Sequence, residues 1–398
     1  MRILLINDYA SLDGGAEIAL FALRDGLRAR GHDARLFATT AGLNGAGSHA
    51  DYRCFGTKSS FRTLVQSVNP TAYWALKRTL EKFKPDVIHV SLFLTQLSPL
   101  ILPLLQQYPA LYNAVWYRAI CPTGTKCLPD GRDCERRAGV ICLHSGCISW
   151  RDAPPIMLQF ALWRRWQGAF RRVVANSLWV ADRLEAEGLG PVSVIRHGVP
   201  IREARPKLQS PPTVLFVGRL VQVKGVDLLL RAFALVLKHI PEARLLIAGD
   251  GPERTSLTEL ARNLEIGEAL VFLGHVPHAA VDRLLDAAWV QSVPSRWAEP
   301  FGIVAAEAMM AGVAVIASRS GGLTEIVRDA DTGFLTTPGE VAPLANALAR
   351  LLGDRELAER MGGSARQRAL AEFGEPLYIE RFVAQYEQMF AGSENGKS

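Results

Sequence analysis

Short, nearly unbroken apolar runs alternate along the chain with longer stretches in which apolar residues recur every three or four positions. Arg2 to Asn7 reads as a buried first strand, and Gly14-Gly15 opens a helix predicted over Ala16 to Arg30 and closed by Gly31. Further strands are predicted at Ala34 to Ala38, Val87 to Val90, Ala110 to Val115, Val173 to Asn176 and Val192 to Arg196, with helices between them. Such alternation implies a parallel sheet covered on both faces. From Gly198 to Pro212 the periodicity stops in a stretch rich in proline and charge, which reads as a linker. A second series then starts with the strand Thr213 to Val217 and a helix over Val226 to His239. Strands at Ala243 to Ala248, Leu270 to Leu273 and Val313 to Ala317 continue it. The pattern predicts two α/β domains, 1–197 and 213–374, joined by 198–212. A helix over 375–391 and a disordered tail over 392–398 complete the chain.

Composition adds little to the fold but narrows the setting. With 398 residues, 49% of them hydrophobic and 21% charged, the chain can bury a core in each domain. Six cysteines do not make a disulfide scaffold, and the apolar run before Asp8 is too short for a secretory signal, so a cytoplasmic protein is expected. The uncharged window Val87 to Tyr117 is broken by Pro99, Pro103 and Pro109, which favours buried strand and helix over a membrane span. A net charge of +6 with few aromatic platforms beside the arginines gives no reason to expect nucleic acid. An anionic membrane surface or an acidic substrate suits that charge equally well. Ile156 to Val174 mixes Phe160, Trp163, Trp166 and Phe170 with Arg164, Arg165, Arg171 and Arg172. It reads either as a helix lying among lipid headgroups at the inner face of the cell membrane or as a packed helix with a solvated arginine face.

Candidate chemistry concentrates in Pro294 to Val327. Glu299 precedes a break at Pro300 and Gly302, after which Ile303 to Ala311 reads as a helix. The backbone amides around Phe301, Gly302, Ile303 and Val304 therefore form a helix N-terminus, where anions are favoured. Glu307 follows about one turn later. Ionised carboxylates accept paired hydrogen bonds from a sugar diol, so the stretch reads as a nucleotide-sugar pocket; the alternative is two solvated glutamates beside an ordinary loop. With Gly321-Gly322 and Glu325 added, the string resembles the Glu-x7-Glu and Gly-Gly-x-x-Glu signature of retaining glycosyltransferases of family 4.

The resemblance implies the GT-B architecture, two Rossmann-like domains facing a central cleft, with the C-terminal helix packed back on the first domain. It implies that Gly14 and Gly15 lie opposite the donor diphosphate. Gly218-Arg219-Leu220 and Lys224-Gly225 match the family's Gly-Arg-Leu and Lys-Gly elements. Arg219 and Lys224 would then stabilise the leaving diphosphate, Glu299 would sit near the transferred sugar, and Gly218 and Glu307 would hold the nucleotide. The implied reaction is retaining transfer of a hexose from a nucleotide-sugar to an acceptor hydroxyl, in glycan, lipopolysaccharide or exopolysaccharide assembly, on a sugar or lipid-linked glycan. Neither a catalytic metal nor a cofactor is expected. One departure is Val115, where relatives carry a histidine two residues before the tyrosine of the Tyr117 to Pro122 string. It keeps an inactive scaffold subunit, and less readily an epimerase, as rival readings. Cys127, Cys134, Cys142 and Cys147 are either structural zinc ligands or reduced structural cysteines, and His89 either faces the cleft or is structural.

Overall fold

The structure is a computed structural model that describes residues 1–11, 14–41 and 49–394. Its first strands are β1 (Arg2–Asn7), β2 (Asp33–Thr39), β3 (Tyr52–Cys54), β4 (Val87–Val90), β5 (Ala110–Ala114), β6 (Arg172–Ala175) and β7 (Val192–Val194). All pair in parallel, in the order β3-β2-β1-β4-β5-β6-β7. Parallel neighbours need crossovers, which include α1 (Gly15–Ala29), α2 (Arg62–Ser67), α3 (Pro70–Phe83), α4 (Leu102–Leu105), α5 (Ile141–His144), α6 (Ala153–Trp166) and α7 (Leu178–Ala186). Ile3, Leu4, Leu5 and Ile6 are all fully buried, which is why β1 reads as a continuous apolar run rather than an alternating one.

The second sheet contains β8 (Thr213–Val217), β9 (Arg244–Ala248), β10 (Leu270–Gly274), β11 (Val290–Val293), β12 (Ala314–Ser318) and β13 (Gly333–Thr336). Its order is β10-β9-β8-β11-β12-β13, again parallel. The helices are α8 (Val226–Leu237), α9 (Arg254–Asn263), α10 (His278–Ala287), α11 (Ile303–Ala311), α12 (Leu323–Ile326), α13 (Val341–Gly353) and α14 (Arg355–Glu372). The order reverses between β8 and β11, and in an open parallel sheet the carboxyl ends at such a point are where ligands bind.

A last helix, α15 (Glu375–Glu394), returns to the first sheet. Its Tyr378, Ile379, Phe382 and Tyr386 join the core built from β1, β2 and α1. The chain accordingly divides into one unit of Met1–Gly198 with the segment from Glu375 onward, and a second unit of Val199–Gly374. The stretch 198–212 has no regular element. It is nonetheless fastened to the second unit: Leu208 lies in that core, and Arg202 pairs with Asp282 and Asp286 at 3.0 and 2.5 Å.

Two expectations are corrected. Residues 392–394 continue α15 instead of starting a disordered tail, and 395–398 lie outside the described residues. Ile156 to Val174 is not one interfacial helix: α6 ends at Trp166 and β6 begins at Arg172. Trp163 and Phe170 are buried against Tyr112 and Phe160 is buried as well, so three of the four aromatic side chains that would enter lipid are turned inward, and Arg164 donates to the carbonyl of Ala138. No helix among the described residues is long and apolar enough to cross a membrane.

Candidate functional site

The loops after β8 and β11 are clamped together by glycine. Gly225 has a left-handed φ of 67° and lies under the carbonyl of Pro294, where a Cβ would collide. Arg296 completes the clamp, its amide donating to the carbonyl of Val223 at 2.8 Å and its guanidinium to both oxygens of Asp227 at 2.5 and 2.6 Å. Burial alone would raise the Asp227 carboxyl, but the Arg296 pair outweighs it and holds Asp227 below its ordinary value.

This clamp brings Lys224 to Glu299. The Lys224 ammonium donates to Glu299 Oε1 at 2.6 Å, and the Ser295 hydroxyl donates to the same oxygen at 2.6 Å. Glu299 is only 5% exposed, so its charge is matched inside the protein by an ammonium that stays partly open to solvent. Lys224 also lies 5.5 Å from the Trp297 ring centre. Beneath Glu299 run Gly321 and Gly322, so close to the Ala298 to Phe301 backbone that neither tolerates a Cβ, and the Gly322 amide donates to the Glu299 carbonyl at 2.7 Å. The Gly-Gly pair is thus the floor on which the Glu299 loop rests. Arg219 is exposed just beyond Gly218, at the carboxyl end of β8; its carbonyl accepts from the Val221 amide at 3.0 Å, and its guanidinium has no hydrogen bond or ion pair among the described residues.

Helix α11 starts at Gly302, whose φ of 107° and contact with Leu323 again require glycine. Its first-turn amides, including those of Ile303 and Val304, have no carbonyl four residues back within the helix. The Phe301 side chain is buried, packed edge-on against Phe373. Glu307 lies one turn further, and burial pushes its carboxyl up to about 8, with the Asp282 charge acting in the same direction. His278 Nε2 is 3.7 Å from Glu307 Oε1. Lys224, Glu299, Arg219, Glu307 and the start of α11 therefore all belong to the second unit. Ser295 and His278 were not singled out from the sequence; their positions, four residues before Glu299 and at the start of α10, carry no motif of their own.

In the first unit Gly14 is the N-cap of α1 and Gly15 its first residue. The feature missed there is Asp8, fully buried at the end of β1. It accepts from the Thr95 hydroxyl at 2.6 Å and from the amides of Thr95, Gln96 and Leu97 at 2.7, 3.1 and 2.7 Å. Burial outweighs those bonds and raises Asp8 to about 6. His89 is structural: it is fully buried, with Nδ1 2.6 Å from the Tyr386 hydroxyl. Val115 is buried and its carbonyl accepts from Asn176 at 3.0 Å.

Of the two readings of the cysteine segment, reduced thiols agree with the structure. Cys127, Cys134, Cys142 and Cys147 are all free, and no group of His, Cys, Asp or Glu among the described residues could hold a metal ion. Burial pushes Cys127 up to about 11 and raises Cys142 and Cys147, favouring the thiol form. The loop is fastened instead by Lys126, which donates to Glu187 at 2.9 Å and to the Arg136 carbonyl at 2.7 Å, in an ion pair whose side chains are 6% and 11% exposed.

Both units have counterparts among known proteins. The model of "Glycosyl transferases group 1" matches residues 200–368, and that of "Glycosyltransferase Family 4" matches residues 13–113. Glycogen synthase of Mycobacterium tuberculosis is 37% identical over 191 residues, 47% of this chain and 46% of that one. The chain thus spans about half the length of the first curated relatives it matches. The GDP-mannose-dependent alpha-(1-6)-phosphatidylinositol monomannoside mannosyltransferase of Mycolicibacterium smegmatis is 31% identical over 279 residues, 65% of this chain and 72% of that one. Among solved structures, sucrose-phosphate synthase from Thermosynechococcus elongatus superposes with a TM-score of 0.76 at 25% identity, covering 98% of this chain and 100% of that one, which identifies the architecture as GT-B. Similarity to a relative over nearly three quarters of its length, with one family model falling in each unit, makes this chain a member of the family 4 glycosyltransferases.

Proposed function

We propose that the protein is a retaining glycosyltransferase that moves a hexose from a nucleotide-sugar to an acceptor hydroxyl in glycan assembly. The observation that carries this reading is the contact of Lys224 with Glu299 at the sheet's reversal point, beside the N-terminus of α11. Breaking the glycosidic bond leaves negative charge on the diphosphate. Arg219 and the Lys224 ammonium, rather than a metal ion, meet that charge, and the first-turn amides of α11 add their dipole. Glu299, held by Lys224 and Ser295 at one oxygen, keeps its other oxygen for the hydroxyls of the transferred sugar. The acceptor oxygen bonds to the anomeric carbon on the face that the diphosphate leaves, and its proton passes to the departing phosphate oxygen. Glu307 holds the ribose diol. A GDP-mannose-dependent relative supports a nucleotide-sugar donor of this kind.

Transfer assays with a panel of nucleotide-sugars test the reaction, and calorimetry with the matching nucleoside diphosphate tests the roles. Glu299→Gln should bind the diphosphate normally and transfer poorly, whereas Glu307→Gln should lose nucleotide affinity. The opposite pattern would mean that the two roles are exchanged.

A further inference from the structure

Helices α2 and α6 lie side by side, tied by three hydrogen bonds. The Thr63 hydroxyl donates to Asp152 at 2.7 Å, the Ser67 hydroxyl to the Pro155 carbonyl at 2.7 Å, and the Gln159 amide to the Gln66 carbonyl at 2.5 Å. Both helices turn one side inward, with Gln66 and Ser67 buried on α2 and Ile156, Phe160 and Trp163 buried on α6. The opposite sides are apolar too, and they are exposed. Phe61 is 67% exposed, Leu64 57% and Val68 41% along α2, while Leu158 is 47% exposed on α6 and Trp150 73% just before it. A single exposed leucine needs no explanation, but large side chains gathered on two adjoining helices do.

Apart from one aspartate, the charge carried by these two segments is positive. Lys58, Arg62, Arg151 and Arg165 are exposed, and within residues 57–68 and 148–172 the sole acidic residue is Asp152, whose oxygens are already taken by the hydroxyls of Thr63 and Ser149. Tryptophan and phenylalanine beside arginine and lysine is the composition that seats a surface in the headgroup layer of an anionic bilayer: the rings enter the acyl boundary and the cations meet phosphate. These are different side chains from the buried aromatic residues of α6.

We propose that this α2–α6 face docks the first unit on an anionic lipid surface. Docking by this face is independent of the transferase reading. If that reading also holds, the acceptor's anchor lies in the same bilayer.

Flotation with vesicles of phosphatidylcholine, alone or mixed with phosphatidylglycerol, tests the proposal on the full chain. The parent should float with the mixed vesicles at low salt, stay behind with phosphatidylcholine alone, and be released as salt is raised. Arg62→Glu with Arg151→Glu should weaken binding by at least about tenfold, since each basic residue near such a surface is worth roughly a factor of five. Phe61→Ser with Trp150→Ser should weaken it without changing the salt dependence, and both pairs, being exposed, should melt as the parent does. A parent that ignores the mixed vesicles at low salt overturns the proposal, as does binding unchanged by both pairs. A parent dimer that ignores vesicles and dissociates in Phe61→Ser with Trp150→Ser assigns the face to a second copy instead and equally overturns it.

Discussion

Glu307→Gln removes a carboxyl whose proton must leave before a ribose diol can bond to an anion. Burial behind α10, together with the charge of Asp282, raises Glu307 to about 8, so near pH 7 the empty site holds mostly the neutral acid. A diol donates both its hydrogens and favours the ionised form. Nucleotide binding should therefore expel a proton. With a value of about 8, the ionised fraction is roughly 1 in 100 at pH 6 and 1 in 2 at pH 8, and apparent affinity scales with that fraction. Affinity should rise about 50-fold from pH 6 to pH 8, equivalent to roughly 2.3 kcal/mol. The assay is calorimetric titration with a nucleotide-sugar, whose diphosphate ester holds its charge across this range, in two buffers of different ionisation enthalpy. The heats at pH 7 should differ by close to one proton's worth of buffer ionisation. Glu307→Gln should bind more weakly at pH 8 and show neither the slope nor the buffer dependence. His278→Gln, which removes the ring 3.7 Å away, should keep both, because the proton belongs to the carboxyl. A parent whose affinity is flat between pH 6 and pH 8 in both buffers would refute the reasoning.

The remaining predictions separate charge from packing. Arg219→Ala and Lys224→Ala should each slow transfer at least about tenfold, because a charge-assisted hydrogen bond is worth about 1.5–3 kcal/mol. Lys224→Ala should also lower the melting temperature, since it strands the buried Glu299 carboxylate, whereas exposed Arg219→Ala should not; equal melting of the two variants would contradict the pairing. Tyr386→Phe should destabilise the protein by about 1–3 kcal/mol by leaving the buried His89 Nδ1 without its hydroxyl, and urea unfolding would show no change if that bond were idle.

How far the sequence carries depends on what each residue meets. Strands such as β1 and β8 were legible because both of their faces are buried, giving unbroken apolar runs. Central strand β11 was not: Gln291 and Ser292 are polar yet fully buried, so its pattern resembles a loop. Glu299, Lys224 and the Gly-Gly floor could be picked out by their ordering along the chain. The contact between Lys224 and Glu299, 75 positions apart, could not, because it depends on the β8–β11 adjacency, as does the placing of Ser295. The arginine and aromatic pattern of α6 fits either orientation of the helix. Tyr112, Phe170 and Phe93 decide it by taking Trp163 inward. The cysteine loop stays open for a similar reason: spacing alone is silent on burial, and burial is what raises the Cys127, Cys142 and Cys147 thiols.

The return of α15 to the first sheet has a consequence for how the molecule is made. The second unit is one unbroken stretch, Val199–Gly374, complete as soon as its last residue leaves the ribosome. The first unit is started earlier and finished later. His89 waits for a hydroxyl 297 positions downstream, and the apolar side chains of β1 and α1 wait for Tyr378, Ile379 and Phe382. Vectorial synthesis normally lets the N-terminal domain settle first. Here the order is inverted, and the nascent first domain must stay soluble with part of its core open for the whole time the second is being translated. Cutting the chain before the 20-residue helix α15 would consequently open the core of the first unit and leave every residue of the second in place.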